Sequence, residues 1–236
     1  MKDKSLVVAK INFRNMKLAF LFTTIVFFAV IIQDVVFIIL DAAGVYSGND
    51  GNTTVGIGNY LFLIVLFGAI FIPSRNFRRM MNLGGKRADF FKGCALGYVI
   101  LAAAVSLAGI ILYYTYERYV TLSYYGGGSL NVLDVFGWMD NGPVVAFIQQ
   151  FAFLLLLASV IHTLTAAQDK WYGWAADVII VAIISVFTPI APLRAVLTSF
   201  FHLILFSSAL PQIASCVIIA AAVYMLNTPI FARRTI

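Results

Sequence analysis

The chain has 236 residues and a mass of 25.9 kDa; 62% of its residues fall in the apolar set AVILMFWYC, 11% are charged, and the mean hydropathy is +0.95. Soluble domains hold about 45–50% apolar and about 25% charged residues, and so few polar groups could not cover the water-exposed surface of a globule this size. A polytopic all-α membrane domain over residues 1–236 remains, while disordered chains, nucleic-acid-binding modules and disulfide scaffolds are excluded, the net charge of +6 notwithstanding.

Residues 1–17 mix Lys2, Lys4, Lys10, Arg14 and Lys17 with Leu6, Val7, Ile11 and Phe13. They read as an interfacial amphipathic helix whose basic side chains snorkel toward the headgroups. Crossing a hydrocarbon core of about 30 Å takes about 20 apolar residues, which predicts spans at about 18–40, 55–72, 93–116, 143–165, 174–189 and 211–227. The first is far longer than the apolar region of a signal peptide. Asp41–Asn59 and Glu117–Pro143 are polar, Gly-rich connections, and Pro73 is expected to end span two.

Pro73–Lys92 carries the most specific pattern. Ser74 can cap a helix in which Phe77, Met80, Met81 and Gly84 fall at i, i+3, i+4 and i+7. Arg75, Arg78, Arg79 and Asn82 take the opposite face, and Gly84-Gly85 supplies a left-handed stop. The expectation is a two-turn helix parallel to the membrane, basic outward, with Phe and Met knobs; the plainer reading is a basic loop with no binding duty. Span three opens on Gly93-Cys94-Ala95-Leu96-Gly97, whose small residues permit close helix packing within the subunit. Cys94 and Cys216 lie in apolar runs and read as small buried hydrophobes.

Leu193–Asn227 would reach about 52 Å as one helix, so Pro189, Pro192 and Pro211 must bend or break it. Either residues 195–210 span on their own, giving seven crossings, or they form a re-entrant hairpin, giving six. Lysine and arginine mark cytoplasmic loops. Six spans with both termini inside place 14 of the 16 basic residues on one side, leaving only Arg118 and Arg194 outside; seven would strand Arg233 and Arg234. Six spans with a re-entrant hairpin between spans five and six is the better solution, in a multi-pass protein of the cell membrane.

Catalytic patterns are missing. The histidines are His162 and His202, and neither H-E-x-x-H nor G-x-S-x-G occurs. Gly84-Gly85-Lys86-Arg87 fails as a phosphate loop, because Met80 stands where the first glycine belongs and Arg87 where Ser or Thr must hold magnesium. The chain is expected not to be an enzyme and to carry no cofactor or metal. Gln33, Asp34, Gln149, Gln150 and Asp177 are the polar groups within spans. Since a carboxylate at mid-bilayer costs about 2.5–3.5 kcal/mol on insertion scales, these five are candidates for a transport pathway; Asp34 and Asp177 also fit wetted helix ends. No chain of acids for ion coupling is visible, and no pair of matching broken helices marks an inverted-repeat carrier.

The basic N-terminal helix, six spans, short helix between spans two and three, and outer hairpin before the last span resemble the membrane subunit of type-2 ABC exporters. Leu83-Gly84-Gly85-Lys86-Arg87-Ala88-Asp89-Phe90-Phe91-Lys92-Gly93 is similar to that family's G-x-[ST]-R-x-x-[FY]-[FW] stretch leading into span three, with Gly85 and the Lys86 for Ser replacement as departures. The resemblance implies a permease that moves an apolar or amphipathic cargo (peptide, drug or lipid). Its partners would be a separate cytoplasmic ATP-binding subunit holding ATP and Mg, a second permease subunit as homo- or heterodimer, and membrane lipid, with no nucleic acid. Arg75, Phe77, Arg78, Arg79, Met80, Met81, Lys86 and Arg87 would couple it to the ATPase. The rival reading is a non-transporting immunity or signalling subunit of the membrane.

Overall fold

A computed structural model describes residues 4–45, 54–120 and 129–233; Lys2, Arg234 and the middles of both polar connections lie outside them. In chain order the helices are α1 (Lys4–Asn15), α2 (Lys17–Ala42), α3 (Ile57–Asn82), α4 (Arg87–Val120), α5 (Val132–Val135), α6 (Pro143–Ala167), α7 (Trp171–Phe187), α8 (Ala191–Phe206), α9 (Ala209–Met225) and α10 (Asn227–Arg233). Five stretches are long and apolar enough to cross a membrane: α2, α3, α4, α6 and Ala209–Phe231. The pair α7 and α8 meets the same test together, bent by 118° at the break between them. The chain is a multi-pass helical membrane protein.

The prolines act where a missing N–H costs nothing. Pro143 and Pro192 occupy the first turns of α6 and α8, where the amide has no intrahelical partner in any case. Pro73 departs from expectation. The helix does not stop there but runs on as a single π-turn, Ile72–Asn76, to Asn82. A wider turn relieves the clash of the proline ring with the preceding turn. Ser74, expected as a cap, instead donates its hydroxyl to the main-chain oxygen of Ile70 at 2.7 Å. There is thus no separate helix after span two, and span three begins near Arg87, six residues before the expected Gly93.

The core is built around α6, which buries residues from Ala146 to Ala167 and packs on α9, α4 and α3. Alanines 152, 158 and 166 on α6 and Cys216 and Ala220 on α9 are small enough for close backbone approach, the source of helix association where lipid removes the hydrophobic drive. Residues 4–15 form a helix, α1, that lies along α4. Val8 sits against Gly93, Asn12 donates to Cys94 Sγ at 3.5 Å, and Met16 at the α1–α2 turn packs onto Gly68 and shares the core cluster with Leu101. By contrast, α2 buries only Ala19, Thr23 and Asp34, and α7 only Gly173.

The two polar connections meet at the end of the bundle away from α1. Thr54–Val55 (β1) pairs in parallel with Ser129–Leu130 (β2), a two-residue ladder that interrupts the otherwise helical fold. Glu117 is buried beneath it and accepts hydrogen bonds from the Gly58 N–H at 2.8 Å and from the Asn131 side-chain amide. Asn59 donates to the Leu130 carbonyl at 2.7 Å and accepts from the Val132 N–H at 3.1 Å. Trp138, fully buried, donates its indole N–H to the Leu205 carbonyl at 3.0 Å, fastening the end of α8 to the same cap.

Candidate functional site

The stretch singled out by its spacing, Arg75 to Arg87, forms the tip where α3 turns into α4. The π-turn decides which side chains face inward. Adding one residue to a turn shifts the helix phase by about 100°; at its end and beyond it Asn76, Phe77 and Met81 are buried while Arg75, Arg78 and Arg79 are exposed. Phe77, with no exposed surface, sits in an aromatic cluster: its ring centroid is 5.3 Å from Phe90 on α4 and 4.8 Å from Phe231 on α10. Asn76 donates to Asn12 Oδ1 on α1 at 3.1 Å. The tip is therefore fastened to three elements at once.

The knobs read from the spacing point the other way from expectation. Phe77 and Met81 are core residues of this chain, and Met80 is half-buried; none offers a free apolar face, because the apolar stripe of a short helix turns to the nearest hydrophobic surface, here α4 and α10. The groups that do reach outward are Arg75, Arg78, Arg79, Lys86 and Arg87, with Leu83 at the apex, 79% exposed. Leu83 was legible only by its position immediately before the glycine stop. That stop forms as expected: Gly84 has φ +78°, its N–H donates to the Met81 carbonyl at 2.9 Å, and the Gly85 N–H donates to Met80 at 3.0 Å.

Charge surrounds this tip. Arg79 donates to Asn15 Oδ1 at 3.4 Å, and Arg78 lies 3.7 Å from Asp169 in the α6–α7 turn. Both are exposed contacts, worth at most about 1 kcal/mol, and leave the guanidinium groups available to solvent. Asp89 in the first turn of α4 complements the positive end of that helix. Lys10, Arg14 and Lys170 flank the same end through α1 and the α6–α7 turn. Asn12, Asn76, Asp169, Phe90 and Phe231, which complete the arrangement, are spread over distant segments, and no local pattern joins them.

The five polar residues read as pathway candidates do not share one cleft. Gln33 is exposed on α2, while Asp34 beside it is buried and accepts from Tyr116 Oη at 2.8 Å. Gln149 and Gln150 lie inside the bundle: Gln149 accepts from the Asn141 amide at 3.3 Å, Gln150 lies against Gly109 of α4, and Gln212 of α9 donates to the Gln149 carbonyl at 3.4 Å. Asp177 is half-buried near the start of α7 and accepts from Gln168 at 3.0 Å. His162 is a core residue sharing a 2.6 Å hydrogen bond with Tyr98 Oη. Both cysteines are free and buried. Among the described residues no three His, Cys, Asp or Glu side chains converge as a metal site would require. No family model, curated protein or solved structure matches this chain.

Proposed function

We propose that the chain is the permease subunit of a type-2 ABC exporter, working with a separate ATP-binding subunit and a second permease subunit to move an apolar or amphipathic cargo. The observation that carries this reading is the α3–α4 tip, an exposed surface of Arg75, Arg78, Arg79, Lys86 and Arg87 anchored by Phe77 and Asn76 to α4, α10 and α1. A force applied to such a tip reaches several helices, because a packed aromatic cluster shifts as a unit. A solvated basic loop needs no anchor of that kind. The docking surface is basic and carries Leu83; Phe77 transmits. On this reading the tip faces the cytoplasm with both termini, α7 and α8 form span five with a re-entrant return, and charged contacts steer an acidic partner surface onto the tip.

The test is co-purification from native membranes. The intact chain should bring an ATP-hydrolysing subunit with it, and Arg78→Glu with Arg79→Glu should lose that subunit while the permease keeps its thermal unfolding profile. Recovery of the intact chain with no ATP-hydrolysing partner, or full retention of that partner by the double variant, would reject the assignment.

A further inference from the structure

A cleft of about 270 Å³ opens between α1, α2, α3 and α4, walled by Phe13, Phe20, Ile64, Ile100, Ala104 and Ala108 among other apolar side chains. Among the described residues no polar side chain lines it, so neither water nor a polar cargo would find a side-chain hydrogen-bond partner among them. From Ile100 to Ala108 it follows α4 for about 12 Å. A partner helix, about 10–12 Å across with its side chains, would need about four times the volume over that length. One extended hydrocarbon chain fits.

Basic residues neighbour the α1 and α2 walls of the cleft along the chain. Lys10 and Arg14 lie three residues before and one after Phe13, and Lys17 lies one turn before Phe20; all three are exposed. No acidic residue occurs between Lys4 and Gln33. Each of the two phenylalanines that wall the cleft thus has exposed cations within one helical turn of it, and these long side chains can reach a lipid headgroup whose tail has entered. We propose that this cleft holds one acyl chain of an anionic phospholipid, with its phosphate met by Lys10, Arg14 and Lys17. The site is independent of the transport reading and would serve any function of the chain, tying α1 and the thinly packed α2 to the bundle.

Full-length protein reconstituted in phosphatidylcholine vesicles would be photolysed with trace phosphatidylglycerol carrying a diazirine in its acyl chain, or with the phosphatidylcholine counterpart, and the adducts mapped by mass spectrometry. Phosphatidylglycerol should label Ile64, Ile100 and Ala104 several-fold more than the exposed Val181 and Ile183 of α7, and more than phosphatidylcholine does. Ala104→Phe should remove the cleft adducts while those on α7 persist. Lys10→Gln, Arg14→Gln and Lys17→Gln together change only exposed groups and should abolish the preference between the two lipids. Cleft labelling no greater than that of α7, equal labelling by both lipids in the unaltered protein, or adduct mapping that shows a second copy's peptide in the cleft would each overturn the assignment.

Discussion

At Gly93 an added methyl group would lie 2.5 Å from the Val8 side chain and 3.0 Å from the Ser5 carbonyl, whereas at Gly97, one turn further along α4, nothing comes within 4 Å. The two glycines of the same motif therefore differ in sign. Gly93→Ala should push α1 off α4 and destabilise the fold by about 1–3 kcal/mol, the usual cost of overpacking. Gly97→Ala should stabilise by about 0.4–1 kcal/mol through the unfolded chain's lost freedom. Denaturant titration in mixed micelles separates them, and a loss of stability at Gly97 would show that the space there is not open. Phe77 is the other decisive residue. Truncation to alanine removes a fully buried ring and should cost about 3–5 kcal/mol, so Phe77→Ala is expected to lower the amount of folded protein before any coupling effect can be read. Phe77→Leu keeps most of the volume and is the variant suited to transport assays.

Among the elements, α3 shows what sequence pattern could and could not give. Its apolar run and the glycine stop after Leu83 are local properties and were read correctly. That Pro73 would be absorbed in a π-turn was not legible, because the alternative to a break depends on burial of Pro73 and Asn76 against neighbouring helices. The spacing of Phe77, Met80 and Met81 gave the right stripe but not its direction, which is set by Phe90 and Phe231, 13 and 154 residues away in the chain. Pro73→Ala restores the N–H and favours regular helix, turning the segment beyond it by about 100°. In a background lacking native cysteines, Asn12→Cys and Asn76→Cys should be joined by a short bifunctional thiol reagent when Pro73 is present and poorly when it is replaced. Unchanged cross-linking would place the cause of the π-turn elsewhere. The cap at the other end was equally hidden, since it pairs Thr54–Val55 with Ser129–Leu130 from two stretches read only as polar connections. Glu117→Gln presents an amide donor to one of the two donors it now satisfies, leaving a buried group unpaired at a cost of about 1–3 kcal/mol. Faster hydrogen exchange at the Gly58 amide should report it, and unaltered protection would mean the ladder holds without the carboxylate.

At the scale of the molecule, burial is divided unevenly. Helices α4, α6 and α9 share a continuous core, while α7 exposes Val178, Ile179, Val181, Ile183 and Ile184 on every side. Lipid is as apolar as these side chains, so exposure alone does not call for a protein partner. What distinguishes α2 and α7 is how few of their residues are buried. The first is tied near its start by Ala19 and near its end by the Asp34–Tyr116 hydrogen bond, and the second buries a single glycine. Helices that bury so few residues can change position relative to the core at less cost than α6, as the proposed permease requires of the surfaces that face a second subunit. Single cysteines at Val181 and at Val36 of α2, also exposed, should therefore form disulfide-linked pairs between copies under mild oxidation in the membrane if the permease is a homodimer, whereas cysteine at the buried Leu154 of α6 should not. Hetero-pairing would appear as the same cysteines linking to a second, distinct chain. Absence of both kinds of adduct at every exposed position along α2 and α7 would leave these helices facing lipid alone and remove the two-subunit pathway from the proposal.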